Sequence, residues 1–187
     1  MSTDYILHQS QYIVDNQWTL IDDIRVAHEN FKKLFGDMPE ADSTAYYKHY
    51  NIFALTSPSA AFHELYTELK TLIRTQLGDS EPLWFQAWLN HHDQDSVLDW
   101  HHHDFDHHGY ISIDPKNTRT VFENYSIENK VGQIYLGPGY RKHKVEVVEP
   151  FQGIRTTIGF DVFRYPRSKI VQYTEKPFIN LGMMPLL

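Results

Sequence analysis

The chain has 187 residues, 41% of them apolar and 14% aromatic, which suits one sizeable core and one domain better than two. A formal charge of −7 argues against a sequence-independent grip on long duplex nucleic acid, because neutralising phosphates requires clustered Lys and Arg. The absence of cysteine excludes disulfides, thiolate metal ligands and cysteine nucleophiles, so any bound metal must be held by imidazole and oxygen.

Met1-Ser2-Thr3-Asp4-Tyr5 lacks the basic and apolar regions of a signal peptide, and no apolar run reaches membrane-span length. The expected location is the cytoplasm of a bacterial cell or a phage-infected host. No repeat, low-complexity tract or linker divides residues 1–187, which read as a single domain. A helical part covers about 1–80 and a β core about 83–175.

The first helix is marked by Ile21, Ile24, Phe31, Leu34 and Phe35 at helical spacing, with Gly36 placed for a left-handed C-terminus. For the second, Ser57 supplies the N-cap and Pro58 the first turn. Phe62, Leu65, Tyr66, Leu69, Leu72, Ile73 and Leu77 then form one apolar stripe before Gly78. Such a stripe covers one face of a sheet.

From Leu83 onward the chain breaks into short runs separated by Asp, Pro, Asn and Gly. Strands are expected near 83–90, 96–103, 109–113, 118–123, 131–136, 143–148, 154–163 and 169–174, the rhythm of a sandwich or jelly roll. The fold class is therefore mainly β with supporting N-terminal helices. Arg141-Lys142-His143-Lys144, following Gly137-Pro138-Gly139, reads as a solvated turn rather than a basic groove.

Seven of the twelve histidines lie between His91 and His108. One histidine alone is more often a surface or satisfied buried ring than a ligand. In a cluster on a strand, however, residues i and i+2 share a face. Two registers result. His102 and Asp104 with His143 would make a two-histidine, one-carboxylate iron triad, whereas His101 and His103 with His143 would make a three-histidine site. In the second register Leu98 and Trp100 fill the opposite face, with the indole under the sheet.

Trp88-Leu89-Asn90, Trp100-His101-His102-His103, His108-Gly109-Tyr110-Ile111-Ser112-Ile113, Val131-Gly132-Gln133-Ile134-Tyr135-Leu136-Gly137-Pro138-Gly139, His143 and Arg155-Thr156-Thr157-Ile158-Gly159-Phe160 occur in order over about residues 83–163. This stretch resembles the 2-oxoglutarate- and Fe(II)-dependent oxygenases, and within them those of phages and marine bacteria, which often carry His-x-His ahead of a Gly-Tyr strand. The resemblance implies a double-stranded β-helix, Fe(II), 2-oxoglutarate as co-substrate, O2, and by default hydroxylation of a C–H bond. The acidic charge points to a protein side chain, an amino acid or another small metabolite as substrate.

Residue roles follow from the same resemblance. In alkylation-repair relatives an asparagine about eleven positions before the first ligand contacts the oxo acid, and Asn90 has that offset from His101. This ranks His101, His103 and His143 ahead of the His102 and Asp104 register, although His103 then stands where most of the family has Asp or Glu. Arg155 is matched to the distal carboxylate, since a guanidinium gives a planar bidentate pair. Thr157 shares its strand face. Tyr110 and Tyr135 are further carboxylate partners, and His107 and His108 lie at the mouth of the same strands. The alternatives are a cupin-type non-haem metal dioxygenase and a non-catalytic jelly-roll binding protein. The cupin reading lacks the Glu expected a few residues after His-x-His.

Overall fold

The computed structural model describes residues 4–35, 50–78, 82–164 and 182–186. In chain order the elements are β1 (Ile6–Gln9), α1 (Gln11–Phe35), α2 (Ile52–Leu55), α3 (Ala60–Leu77), β2 (Trp84–His92), β3 (His107–Asp114), β4 (Thr118–Phe122), β5 (Ser126–Glu128), β6 (Gln133–Pro138), β7 (His143–Val147), β8 (Arg155–Phe163) and β9 (Met183–Pro185). A six-stranded sheet takes the order β1-β6-β3-β8-β2-β9, and a three-stranded sheet the order β5-β4-β7. All pairings are antiparallel, and β8 lies between β2 and β3.

Strand alternation gives the large sheet two unlike faces. On one, Phe85, Ala87 and Leu89 of β2, Ile111 and Ile113 of β3, Ile134 and Leu136 of β6, and Ile158, Phe160 and Val162 of β8 join a single apolar cluster with the helices. Ile13, Leu20, Ile24, Ala27 and Phe31 of α1 and Phe62, Leu65, Leu69 and Ile73 of α3 complete it. The other face presents Trp88, Asn90, His108, Tyr110, Ser112, Arg155, Thr157 and Asp161, all buried although mostly polar. It looks toward the small sheet, where Arg155 Nε donates to Thr118 Oγ1 at 3.3 Å and the Tyr135 ring lies tilted against Phe122 at 5.0 Å. Gly159 permits a close approach here, since a Cβ at this position would meet the Trp88 ring at 2.7 Å.

Several sequence expectations are corrected. The N-cap of α3 is Ser59, whose Oγ accepts from Phe62 N at 3.1 Å, because Ser57 and Pro58 lie in the turn leaving α2. Gly78 does close that helix, at φ +87°. The first helix does hold the positions read as helical, from Ile21 on, and runs from Gln11 with an interruption at Asn16. Gly36, the side chains of Leu34 and Phe35, and the strand expected at 169–174 lie outside the described residues.

The expected strand at 96–103 is irregular chain. Asp93 Oδ1 takes the Ser96 hydroxyl at 2.7 Å and Asp95 N at 3.1 Å, and Asp99 Oδ1 takes Trp100 N at 2.7 Å. Local side-chain bonds thus interrupt a ladder that keeps backbone pairing to β7 at isolated points, Leu98 O with Val145 N and His101 with His143. Trp100 is not under the sheet but 46% exposed, with Lys144 Nζ 5.2 Å from its ring centre. Nor is 141–144 a solvated turn, because Arg141 is held by Asp4 and by the Tyr125 hydroxyl, and His143 is buried at the start of β7. Among the described residues no helix is long and apolar enough to cross a membrane.

Candidate metal centre

His101 and His143 are joined by a two-way backbone bridge, His101 N to His143 O at 3.0 Å and His143 N to His101 O at 2.9 Å. This bridge, with a bond from Val145 N to Leu98 O at 2.9 Å, ties the irregular segment to the edge of the small sheet, and the two rings lie 4.3 Å apart, centre to centre. His103, two residues on, brings its ring to 5.5 Å from that of His143. Ligand atoms of His101, His103 and His143 all lie within 4.8 Å of one another.

Each ring has its Nδ1 engaged by an acceptor. His101 Nδ1 meets Asp99 O at 2.7 Å, His143 Nδ1 meets Arg141 O at 3.0 Å, and His103 Nδ1 meets Asp161 Oδ1 at 3.0 Å. A backbone carbonyl can only accept, so His101 and His143 carry the Nδ1 proton and present a bare Nε2 lone pair. His103 Nε2 is buried without a hydrogen-bond partner among the described residues. Burial pushes the His143 imidazolium down to about 3 and lowers that of His101 as well, so both rings are neutral near pH 7. Neutral imidazoles with free Nε2 atoms are what a divalent metal requires.

A second group, His103, His108 and Asp161, shares His103. His108 Nδ1 lies 3.1 Å from the same Asp161 Oδ1, and the His103 and His108 rings stack at 3.7 Å. Burial raises the Asp161 carboxyl, opposed by His103, and keeps His108 well below the usual imidazole range. Trp88 stacks along both rings at 5.8 and 6.2 Å, and its Nε1 donates to Asn90 Oδ1 at 3.1 Å.

His102 and Asp104, the rival pair, turn to the surface. Their side chains are 50% and 95% exposed and 3.5 Å apart. His107 opens β3 opposite Pro138, while His91 packs against His28 of α1 at 5.1 Å.

Further along the same inward face, Arg155 is 2% exposed and has an Nη1 with no hydrogen-bond partner among the described residues. Ser112 Oγ and Thr157 Oγ1 are similarly unpartnered, and these two residues face each other in register across β3 and β8. Burial raises the pKa of the Tyr110 hydroxyl, opposed by Thr120 and Arg155, and this hydroxyl too has no hydrogen-bond partner among the described residues. Burial pushes the Arg155 guanidinium down only to about 10, so it is still a cation at neutral pH. An unpaired buried cation costs several kcal/mol by the order of such penalties, and a bound anion removes that cost. The donor set fits Fe(II), and the arginine cradle fits a carboxylate.

Asp161 was not expected from the sequence. Its one sequence signal was a lone acid inside the otherwise apolar run Ile158 to Phe163, which strand alternation alone places on the face opposite Ile158, Phe160 and Val162 without saying that this face is buried.

No family model matches the chain, and no curated protein does. Solved structures do resemble it. The non-heme monooxygenase ThoJ, as a nickel complex, superposes with a TM-score of 0.60 at 8% identity over 86% of this chain and 74% of that one. HygX from Streptomyces hygroscopicus, with nickel and 2-oxoglutarate bound, gives 0.53 at 11% identity over 88% and 86%. The non-heme α-ketoglutarate-dependent carbocyclase SnoK from nogalamycin biosynthesis gives 0.55 at 8% identity over 93% and 87%. At such identities the likeness is one of fold, and that fold is the double-stranded β-helix.

Proposed function

We propose that this chain is an Fe(II)- and 2-oxoglutarate-dependent oxygenase that hydroxylates a C–H bond of a protein side chain, an amino acid or another small metabolite. The observation that carries the proposal is a paired arrangement: three imidazoles holding their Nδ1 atoms on acceptors and, buried on the inward face of the large sheet, a guanidinium whose Nη1 has no hydrogen-bond partner among the described residues. Thr118, touched by Arg155, and Phe122, beside His143, are separated by four steps of β4. That is roughly 13 Å at the usual strand rise, a span suited to a glutarate-length dicarboxylate together with its two sets of contacts.

In this reading His101, His103 and His143 would hold Fe(II) through Nε2, and the metal with 2-oxoglutarate and O2 would supply the oxidising chemistry for a C–H bond. Arg155 binds the distal carboxylate by a charge-assisted fork. Ser112, Thr157 and Tyr110 donate hydroxyl hydrogens around it, and Asn90 fixes Trp88 against the histidine rings. Phe122 and Trp88 keep water from the inner side of the imidazoles. The neighbours named as 2-oxoglutarate-bound or α-ketoglutarate-dependent lend support through fold, and a buried arginine with an unpartnered Nη1 among the described residues has no role in the cupin-type or non-catalytic alternatives.

Aerobic incubation with Fe(II) and labelled 2-oxoglutarate tests the proposal. Uncoupled turnover releases labelled succinate without the prime substrate, and His143→Ala abolishes it. No succinate together with no heat of 2-oxoglutarate binding would return the chain to the two alternatives.

A further inference from the structure

Three neutral imidazoles bring no charge to a divalent ion, unlike a set that contains a carboxylate. A buried metal then needs a negative group nearby, because the low-dielectric interior leaves its charge poorly compensated. Asp161 is fully buried, and its Oδ1 stands 3.0 Å from His103 Nδ1 on the side of the ring away from Nε2. Its Oδ2 has no hydrogen-bond partner among the described residues.

We infer that Asp161 is the positioning residue of the metal centre, holding the Nδ1 proton of His103 so that Nε2 faces the ion, and supplying from behind the ring the negative charge that no ligand carries. The inference rests on the reading of His101, His103 and His143 as the ligands. Its structural basis is a contrast among those rings. The acceptors of His101 and His143 are neutral backbone carbonyls, whereas that of His103 is a carboxylate. A carboxylate behind a ligating histidine fixes the tautomer and raises ligand basicity.

His108 completes the device. Its Nδ1 reaches the same Oδ1 at 3.1 Å, and its ring lies parallel to His103 within 11°. Asp161 stands opposite His108 across the β3–β8 ladder and opposite Gln86 across the β2–β8 ladder. The carboxylate is therefore anchored on the central strand of the large sheet, while the ring it orients comes from the irregular segment before β3. A rigid strand thus steers the least regular of the ligand-bearing segments.

The test measures Co(II) affinity by chelator competition and reads the His103 tautomer by long-range proton–nitrogen NMR in the metal-free chain. Asp161→Asn and Asp161→Ala are compared with wild type after circular dichroism confirms folding, and His102→Ala serves as a surface control. The expected result is a 10–100-fold loss of affinity in both Asp161 variants, the usual effect of removing such a partner. The control keeps wild-type affinity, and His103 changes from Nδ1-protonated to a tautomer mixture in Asp161→Ala. Wild-type affinity and an unchanged tautomer in both variants would overturn the inference. If the variants do not fold, the wild-type spectrum still decides, since a proton on His103 Nε2 is incompatible with the proposed role. Retention of Co(II) by His101→Ala and His143→Ala, with loss in Asp161→Ala and His108→Ala, would instead make Asp161 a direct ligand and overturn the positioning role. Co(II) binding as expected but no 2-oxoglutarate binding would sink the oxygenase reading alone and leave the role of Asp161 standing.

Discussion

At the scale of single residues, the most demanding feature is Arg155. Its guanidinium is buried to 2% exposure, yet its one hydrogen bond to a described side chain is a 3.3 Å contact from Nε to Thr118. Such a group is stabilised mainly when an anion arrives, so its contribution appears in binding rather than in folding of the empty chain. Arg155→Ala should therefore weaken 2-oxoglutarate binding by about 2–5 kcal/mol, the range for truncating one partner of a buried charge pair. Anaerobic titration of the Fe(II) protein, followed by its visible metal-to-ligand charge-transfer absorption, measures this. Equal affinity in the variant would remove Arg155 from the co-substrate site. Arg155→Lys keeps the charge but loses the planar fork, and should fall between the two.

At the scale of elements, the packing of α1 on β2 contains a titratable contact away from the metal centre. His91 of β2 lies against His28 of α1, and burial, with repulsion from His28, His92 and Lys32, pushes its imidazolium from 6.5 down to about 4. Between those values the unfolded chain binds a proton that the folded chain refuses, so stability rises with pH. The contribution is fully present above pH 6.5 and is lost as the pH falls toward 4. Urea unfolding at pH 7.5 and pH 5 should show a lower midpoint at pH 5, and His91→Leu should narrow the difference. An unchanged difference in His91→Leu would place the acid sensitivity elsewhere. Strand length explains why three strands escaped sequence reading: β1 and β9 at the edges of the large sheet and β5 at the edge of the small one have only 4, 3 and 3 residues, too few alternations to register as a period.

At the scale of the whole molecule, the large sheet divides the work between its faces. One face, with α1 and α3, supplies the apolar burial that holds the fold, which frees the other to bury polar groups with incomplete hydrogen bonding. A ligand that satisfies that second face must stabilise the entire fold through linkage. Fe(II) with 2-oxoglutarate at 100 times its dissociation constant should add about 2.7 kcal/mol. For a chain of this length that corresponds to a rise of about 5–10 °C in unfolding temperature. Anaerobic thermal unfolding with and without ligand, then after adding a chelator, checks this; coincident transitions would mean that the polar face binds neither.

Residue order alone determined the β-rich class, the α3 stripe, most long strands and the grouping of His101, His103, His143 and Arg155 as candidates, because period and spacing are properties of a single chain. It left two histidine registers open, since alternation assigns residues to faces without saying which face is inside. Tertiary structure decided where those side chains point: the local bonds of Asp93 and Asp99 replace a strand at 96–103, the His101 to His143 bridge gathers one set of rings, and His102 and Asp104 face solvent. It also joined His103 to Asp161, residues 58 positions apart whose relation depends on the β3–β8 ladder. A contact at that separation carries no local period or turn signal, so it exists for the reader only once the sheet is assembled.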